Sequence, residues 1–444
     1  MTRFLVAAMM TCLTALGAQA DSEERAELKA FASARLIDAI LLYDQHFRVP
    51  ETGQYLDALR LGGAAPEPLS STAATGMGLI SLALGDQLGL IPDASAKAEV
   101  TLRHLLGEVE GSPFTTERSK SGWYRHWFDA RTGAVPDWNP DKFSTIDTAI
   151  LAAGAAILSN HLRRQAETQG TPVPEAADLA ARLVSSVDWR TAVRNPKRGS
   201  IHLIFYGVDE VPTENVATIP FDEYALLPCM AARYEDEIDQ PGDATAAWET
   251  RFDMTEELPM ADRGGLTLLS KPSGSVPSHF THQFAFHLCG TYARDPEFLA
   301  EMGELMQADR AWFEAAGAPP DLWGLGAGSE LVLEPAETEA AQTYGVARLD
   351  SNPNATASPA VMAGFLAVDE VMGQYNILRD LKALWDRDAC RYSHEDLGFL
   401  WRCAIRDTSL AVNRVEAIDF STWMLGLATA HPDIGLVFFQ RNTY

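Results

Sequence analysis

Apolar residues in this chain recur mainly at helical spacing, interrupted by polar loops. Across residues 30–47, Phe31, Ala34, Ile37, Ile40 and Leu41 fall on one helical face. Residues 75–88 and 94–106 predict a helical pair joined by Gly89-Leu90-Ile91-Pro92-Asp93. Residues 145–164 are Ala-rich and apolar nearly all round, which marks a helix buried on every side. Further helices are predicted over 174–187, 222–234, 296–315, 359–385 and 421–430. Two stretches, 201–206 and 345–349, read as short strands placed for hairpins in loops. Helix pairs along the whole chain, separated by loops rich in Trp, Gly, Pro and acid, predict an all-α toroid. No sequence repeat is visible, which argues against a regular solenoid.

The first 20 residues break this pattern. Arg3 precedes a short apolar run over 4–16, and Ala18-Gln19-Ala20 forms a small-residue cleavage site. This is the form of a secretory signal, so the mature chain is expected to begin at Asp21 and to be periplasmic or secreted. The run is too short for a lasting membrane span, and no membrane insertion is expected. Residues 21–444 are read as one domain.

Charge narrows the partners. The 61 acidic and 35 basic side chains leave a formal net charge of −26. Such a surface repels nucleic acid and anionic membranes and suits a neutral or cationic ligand. Cys12 leaves with the signal; Cys229, Cys289, Cys390 and Cys403 stay. Cys390 and Cys403 enclose a short loop and are the favoured pair, although spacing alone does not fix connectivity.

Candidate chemistry is concentrated at Gly122-Trp123-Tyr124-Arg125-His126-Trp127-Phe128-Asp129 and Ser144-Thr145-Ile146-Asp147-Thr148-Ala149. Aromatic faces stack on pyranose rings, and neighbouring carboxylates move protons at a glycosidic oxygen. Glu223 opens a helix in Phe221-Asp222-Glu223-Tyr224. There it is either a cap or an acid whose pKa apolar neighbours raise. Ser144 and Asp147 read as a capping box, or Asp147 lies on a cleft floor. Asp419 reads as the N-cap of the helix near Ser421, or as a site carboxylate. Trp123, Trp127, Trp138, Trp323 and Trp401 are candidate sugar platforms, against the alternative that each fills the core. His126 and Arg402 are candidate donors to sugar hydroxyls. Asp129, Tyr224 and His282 complete the expected binding set. His279, His282 and His287 lack the spacing of a zinc site, so no metal or cofactor is expected. The glycines of 324–328 do not follow a strand in a βαβ unit and read as a close-packed cleft loop.

These segments, taken in order with His279 to His287, Leu322-Trp323-Gly324-Leu325, Trp401-Arg402 and Ala417-Ile418-Asp419, resemble the glycoamylase-like family that includes bacterial beta-1,2-glucanases. The resemblance implies an (α/α)6 barrel, a glucan-binding cleft and inverting hydrolysis. It implies Glu223 as catalytic acid, with Asp147 and Asp419 as partner carboxylates. The chain departs from the pattern at Ser144, where the resemblance leads to an acidic residue. Two other functions stay open at this level. One is a polysaccharide lyase on the same fold, recruiting Tyr124, His126 and His282. The other is a non-catalytic glycan-binding protein serving polysaccharide export or assembly.

Overall fold

The computed structural model describes residues 2–62, 67–139, 142–211, 217–240, 242–252, 258–332, 341–410 and 412–443, excluding the side chains of 2–21, 250 and 341. The expected signal segment therefore lies outside the described side chains. In chain order the helices are α1 (Thr2–Leu42), α2 (Thr72–Gln87), α3 (Ala94–Leu105), α4 (Thr145–Gln169), α5 (Glu175–Ser185), α6 (Leu226–Glu237), α7 (Asp243–Arg251) and α8 (Phe280–Leu288). Then come α9 (Gly290–Arg294), α10 (Pro296–Ala315), α11 (Pro359–Gly364), α12 (Leu366–Met372), α13 (Asn376–Asp386), α14 (Ala417–Ala430) and α15 (Gly435–Asn442).

Helix packing follows from apolar content. α2 and α14 are buried along almost their whole length, and α4 is buried from Thr145 to Ser159. α2 packs on α4, α4 on α6, α6 on α8, α8 on α11, α11 on α14, and α14 back on α2. Around this circuit, α3 packs on α2, α5 on α4, α7 on α6, α10 on α8, and α1 on both α14 and α2. α5 buries the single stripe Ala176, Ala177, Leu179, Ala180, Leu183 and Val184, as a helix with one solvent face must. Glycine permits close inner crossings: a Cβ on Gly154 would clash with the Gly76 carbonyl oxygen, and one on Gly426 with the Ala363 carbonyl oxygen.

Two predicted helices needed correction. The long helix over 359–385 is broken into α11, α12 and α13. The chain turns at Phe365 and again at Gly373, whose φ of 63° ends α12 in the left-handed region. The last apolar helix begins at Ala417 rather than near Ser421. The strand Arg414–Glu416 runs directly into it, and the Ala417 N–H donates to the Asp57 carbonyl at 2.8 Å. Both predicted strand regions contain strands. Residues 200–206 form two, Ser200–His202 and Ile204–Tyr206, with different partners; Ala341–Val346 pairs with Ala327–Val332 as a hairpin. Cys390 pairs with Cys403, and Cys229 with Cys289.

Candidate active site

Three short strands lead directly into inner helices: Leu69–Ser71 into α2, Lys142–Ser144 into α4 and Arg414–Glu416 into α14. Each is held antiparallel by a strand from elsewhere: Trp127–Asp129, Ile204–Tyr206 and Ala58–Arg60 respectively. The helix N-termini thereby meet at one end of the molecule. A cleft of about 760 Å³ opens there, lined by Ser71, Ser144, Asp147, Glu223, Glu416 and Asp419 among others. Helix N-termini favour negative charge, so the same architecture that gathers these acids partly offsets the cost of gathering them.

Asp222 and Glu223 divide the two roles that the sequence left open. Asp222 is the cap. It accepts from the Tyr224 N–H at 3.1 Å and the Thr218 hydroxyl at 2.8 Å, and pairs with Lys271 at 3.0 Å. Glu223 has no hydrogen-bond partner for its carboxyl among the described residues, and it faces the cleft. Burial, then the charges of Asp222, Asp147 and Asp419, push its pKa up to about 8, with Lys271 opposing.

Asp147 is the third residue of α4. Its N–H donates to Ser144 Oγ at 3.3 Å, and the Ser144 hydroxyl donates back to its carboxylate. The reciprocal backbone bond of a capping box is not made, because the Ser144 N–H goes to the Tyr124 carbonyl at 3.0 Å. His126 Nε2 lies 3.4 Å from Asp147 Oδ1. Burial raises the Asp147 pKa, while His126 and Ser144 hold it back.

Asp419 is the third residue of α14 and not its cap. Burial and the neighbouring charge of Glu416 raise it to about 8. The Tyr344 hydroxyl lies 3.3 and 3.2 Å from its two carboxyl oxygens. Glu416 in turn accepts from the Ser329 N–H at 2.9 Å and hydroxyl at 2.6 Å.

Of the predicted binding residues, His126, Trp127 and Tyr224 line the cleft. The His126 ring stacks on Trp127 with centroids 3.4 Å apart, and Trp138, 62% exposed, leans on Trp127 at 4.8 Å. Six others are placed elsewhere. Trp123 is buried against Trp189 and donates to Thr191 at 3.0 Å. Trp323 is buried, with its indole N–H on Asp380 at 3.2 Å. Trp401 is buried, with its N–H on the Arg414 carbonyl at 3.1 Å. Arg402 is buried in an ion pair with Glu330 at 2.8 Å. His282 is stacked on Phe221, and burial depresses its pKa to about 3, so it is neutral. Asp129 binds the Arg131 and Thr132 N–H groups, both at 2.9 Å, and shapes a turn. None of these six lines the cleft.

Asp57, Arg60, Tyr344, Arg414 and Glu416 line the cleft without having been singled out from sequence. Glu416 carried a usable signal, since it precedes Asp419 by one helical turn. Tyr344 carried none, because its place depends on a hairpin fold.

No known family profile and no curated protein matches the sequence. Solved structures do match. A candidate glucoamylase from Bacteroides caccae is 17% identical, with a TM-score of 0.69 over 93% of this chain and 95% of that one. An endo-beta-1,2-glucanase from Chitinophaga pinensis, in complex with sophorotriose and glucose, is 14% identical, with a TM-score of 0.68 over 94% of each chain. The chain shares their fold. An endo-beta-1,2-glucanase from Talaromyces funiculosus bound to sophorose is also similar, at 12% identity and a TM-score of 0.61, over 92% of this chain and 85% of that one.

Proposed function

We propose that this chain is an exported glycoside hydrolase that cleaves a neutral glucan, with beta-1,2-glucan as its substrate, by inversion. The observation that carries this reading is Glu223: an unbonded carboxyl in the cleft, held protonated up to about pH 8, facing two further carboxylates. A general acid at neutral pH needs that elevation. The Glu223 proton passes to the glycosidic oxygen as the bond to C1 breaks. Water adds to C1 from the opposite face and gives its proton to whichever of Asp147 and Asp419 is ionised. A beta linkage would therefore yield the alpha anomer.

The closed circuit of inner helices supports reading residues 21–444 as one (α/α)6 barrel. The leader sequence and two disulfides support an oxidising, extracytoplasmic location. The substrate class comes from the fold shared with glucanases that bind sophorose and sophorotriose. The cleft itself favours a neutral sugar. Even with Glu223 and Asp419 protonated, Asp57, Asp147 and Glu416 leave Arg60 and Arg414 no cationic excess there to hold the uronates a lyase requires.

The test is reducing-end release from linear and cyclic beta-1,2-glucan and other neutral glucans by wild type and Glu223→Gln. Wild type is expected to release sugar, with the alpha anomer first by NMR, and the variant to lose about a hundredfold or more while folding normally. An inactive wild type, or an active variant, would sink the proposal.

A further inference from the structure

Wherever an acidic side chain is crowded by others, a donor that stabilises its ionised form has a disproportionate effect. Asp419 is crowded in this way. Glu416 precedes it by one turn, while Asp57, Glu223 and the phenol of Tyr43 face it from other elements. The nearby cation, Arg402, lowers the Asp419 pKa through space but is bonded to Glu330, not to Asp419. Among the described residues, Tyr344 is the one side chain that donates to the Asp419 carboxyl.

Tyr344 reaches Asp419 from the hairpin of Ala327–Val332 and Ala341–Val346, where it sits directly opposite Ser329. One rung of the hairpin thus grips two acids at the start of α14: Ser329 holds Glu416 and Tyr344 holds Asp419. The hairpin is also fixed beside this rung, where the Asn413 N–H donates to Gln342 at 3.0 Å. Core packing does not account for Tyr344, since the residue is 56% exposed.

We propose that Tyr344 is a positioning residue, whose hydroxyl favours the ionised form of Asp419 against its acidic neighbours and orients its carboxyl in the cleft for the reaction. This rests on the hydrolase reading above. Its ring adds wall to the cleft, but the function lies in the hydroxyl.

The experiment is Tyr344→Phe, which keeps the ring and removes the donor. Aspartate-labelled ¹³C NMR follows Asp419 against pH, with Asp419→Asn assigning the signal. Loss of the donor is expected to raise the Asp419 titration by about one pH unit. On linear beta-1,2-glucan, kcat should fall about tenfold with KM nearly unchanged. In the double variant, Tyr344→Phe should add no further loss to Asp419→Asn. An unmoved Asp419 titration, a change confined to KM, or multiplying losses would each overturn the proposal. The titration needs no substrate, so it is decisive even if every glucan assay fails and the hydrolase reading falls.

Discussion

The starts of α4 and α14 are built alike and behave differently. Each follows a three-residue strand, and each places isoleucine second and aspartate third in the helix: Ile146-Asp147 and Ile418-Asp419. The residue before the helix separates them. Ser144 is a donor and gives its hydroxyl to Asp147; Glu416 is an acceptor and repels Asp419. After burial, the next largest influence on Asp147 is His126, which lowers its pKa; on Asp419 it is Glu416, which raises it. One backbone frame therefore surrounds two carboxyl groups with unlike neighbours. A locally supplied donor serves the first, and a donor from a distant hairpin serves the second.

Removing each acid is the strongest way to break this comparison. Asp147→Asn and Asp419→Asn are each expected to lower kcat on beta-1,2-glucan by about a hundredfold. Wild-type turnover in either would reduce that junction to scaffold.

A smaller effect separates the junctions through stability. Glu223 and Asp419 hold their protons to about pH 8 in the folded chain, against ordinary values of 4.5 and 3.8. The unfolded chain releases those protons at lower pH. Their stabilising contribution is thus complete below about pH 4, falls as pH rises, and is gone above about pH 8. Asp419→Asn should melt higher than wild type at pH 8, by at least about 2 °C, with the advantage vanishing at pH 4. Calorimetry at the two pH values checks it, and an equal difference at both would contradict it.

The smallest effect concerns the cap. Ser144→Ala should cost about 1 kcal/mol in denaturant unfolding and raise the Asp147 titration, leaving Asp419 untouched. A shift at Asp419 of similar size would mean that the two junctions are not independent.

Much of the fold could be read along the chain. α2, α3, α5 and α10 lie within a few residues of their predicted bounds, because their apolar periodicity is regular. Residues 359–385 were misread because periodicity continues across Gly373, where the backbone turns. Of the cleft lining, His126, Trp127, Asp147, Glu223, Tyr224 and Asp419 had been singled out from sequence. Trp123, Trp323, Trp401, Arg402, His282 and Asp129 have the same residue types and similar settings in sequence. They differ only in what each side chain meets in three dimensions.

The sequence by itself determined the helices α2, α3, α4, α5 and α10, that α4 is apolar nearly all round, and that acids cluster at helix starts. Those properties depend on neighbours within a turn or two. Tertiary structure alone decided that Asp222 caps while Glu223 stays free, that Trp127 faces the cleft while Trp401 lies behind it, and that Tyr344 serves Asp419. Each depends on partners tens to hundreds of residues away, such as Lys271 for Asp222 and the 327–346 hairpin for Asp419. Burial and charge are sums over spatial neighbours, and no spacing along the chain encodes them.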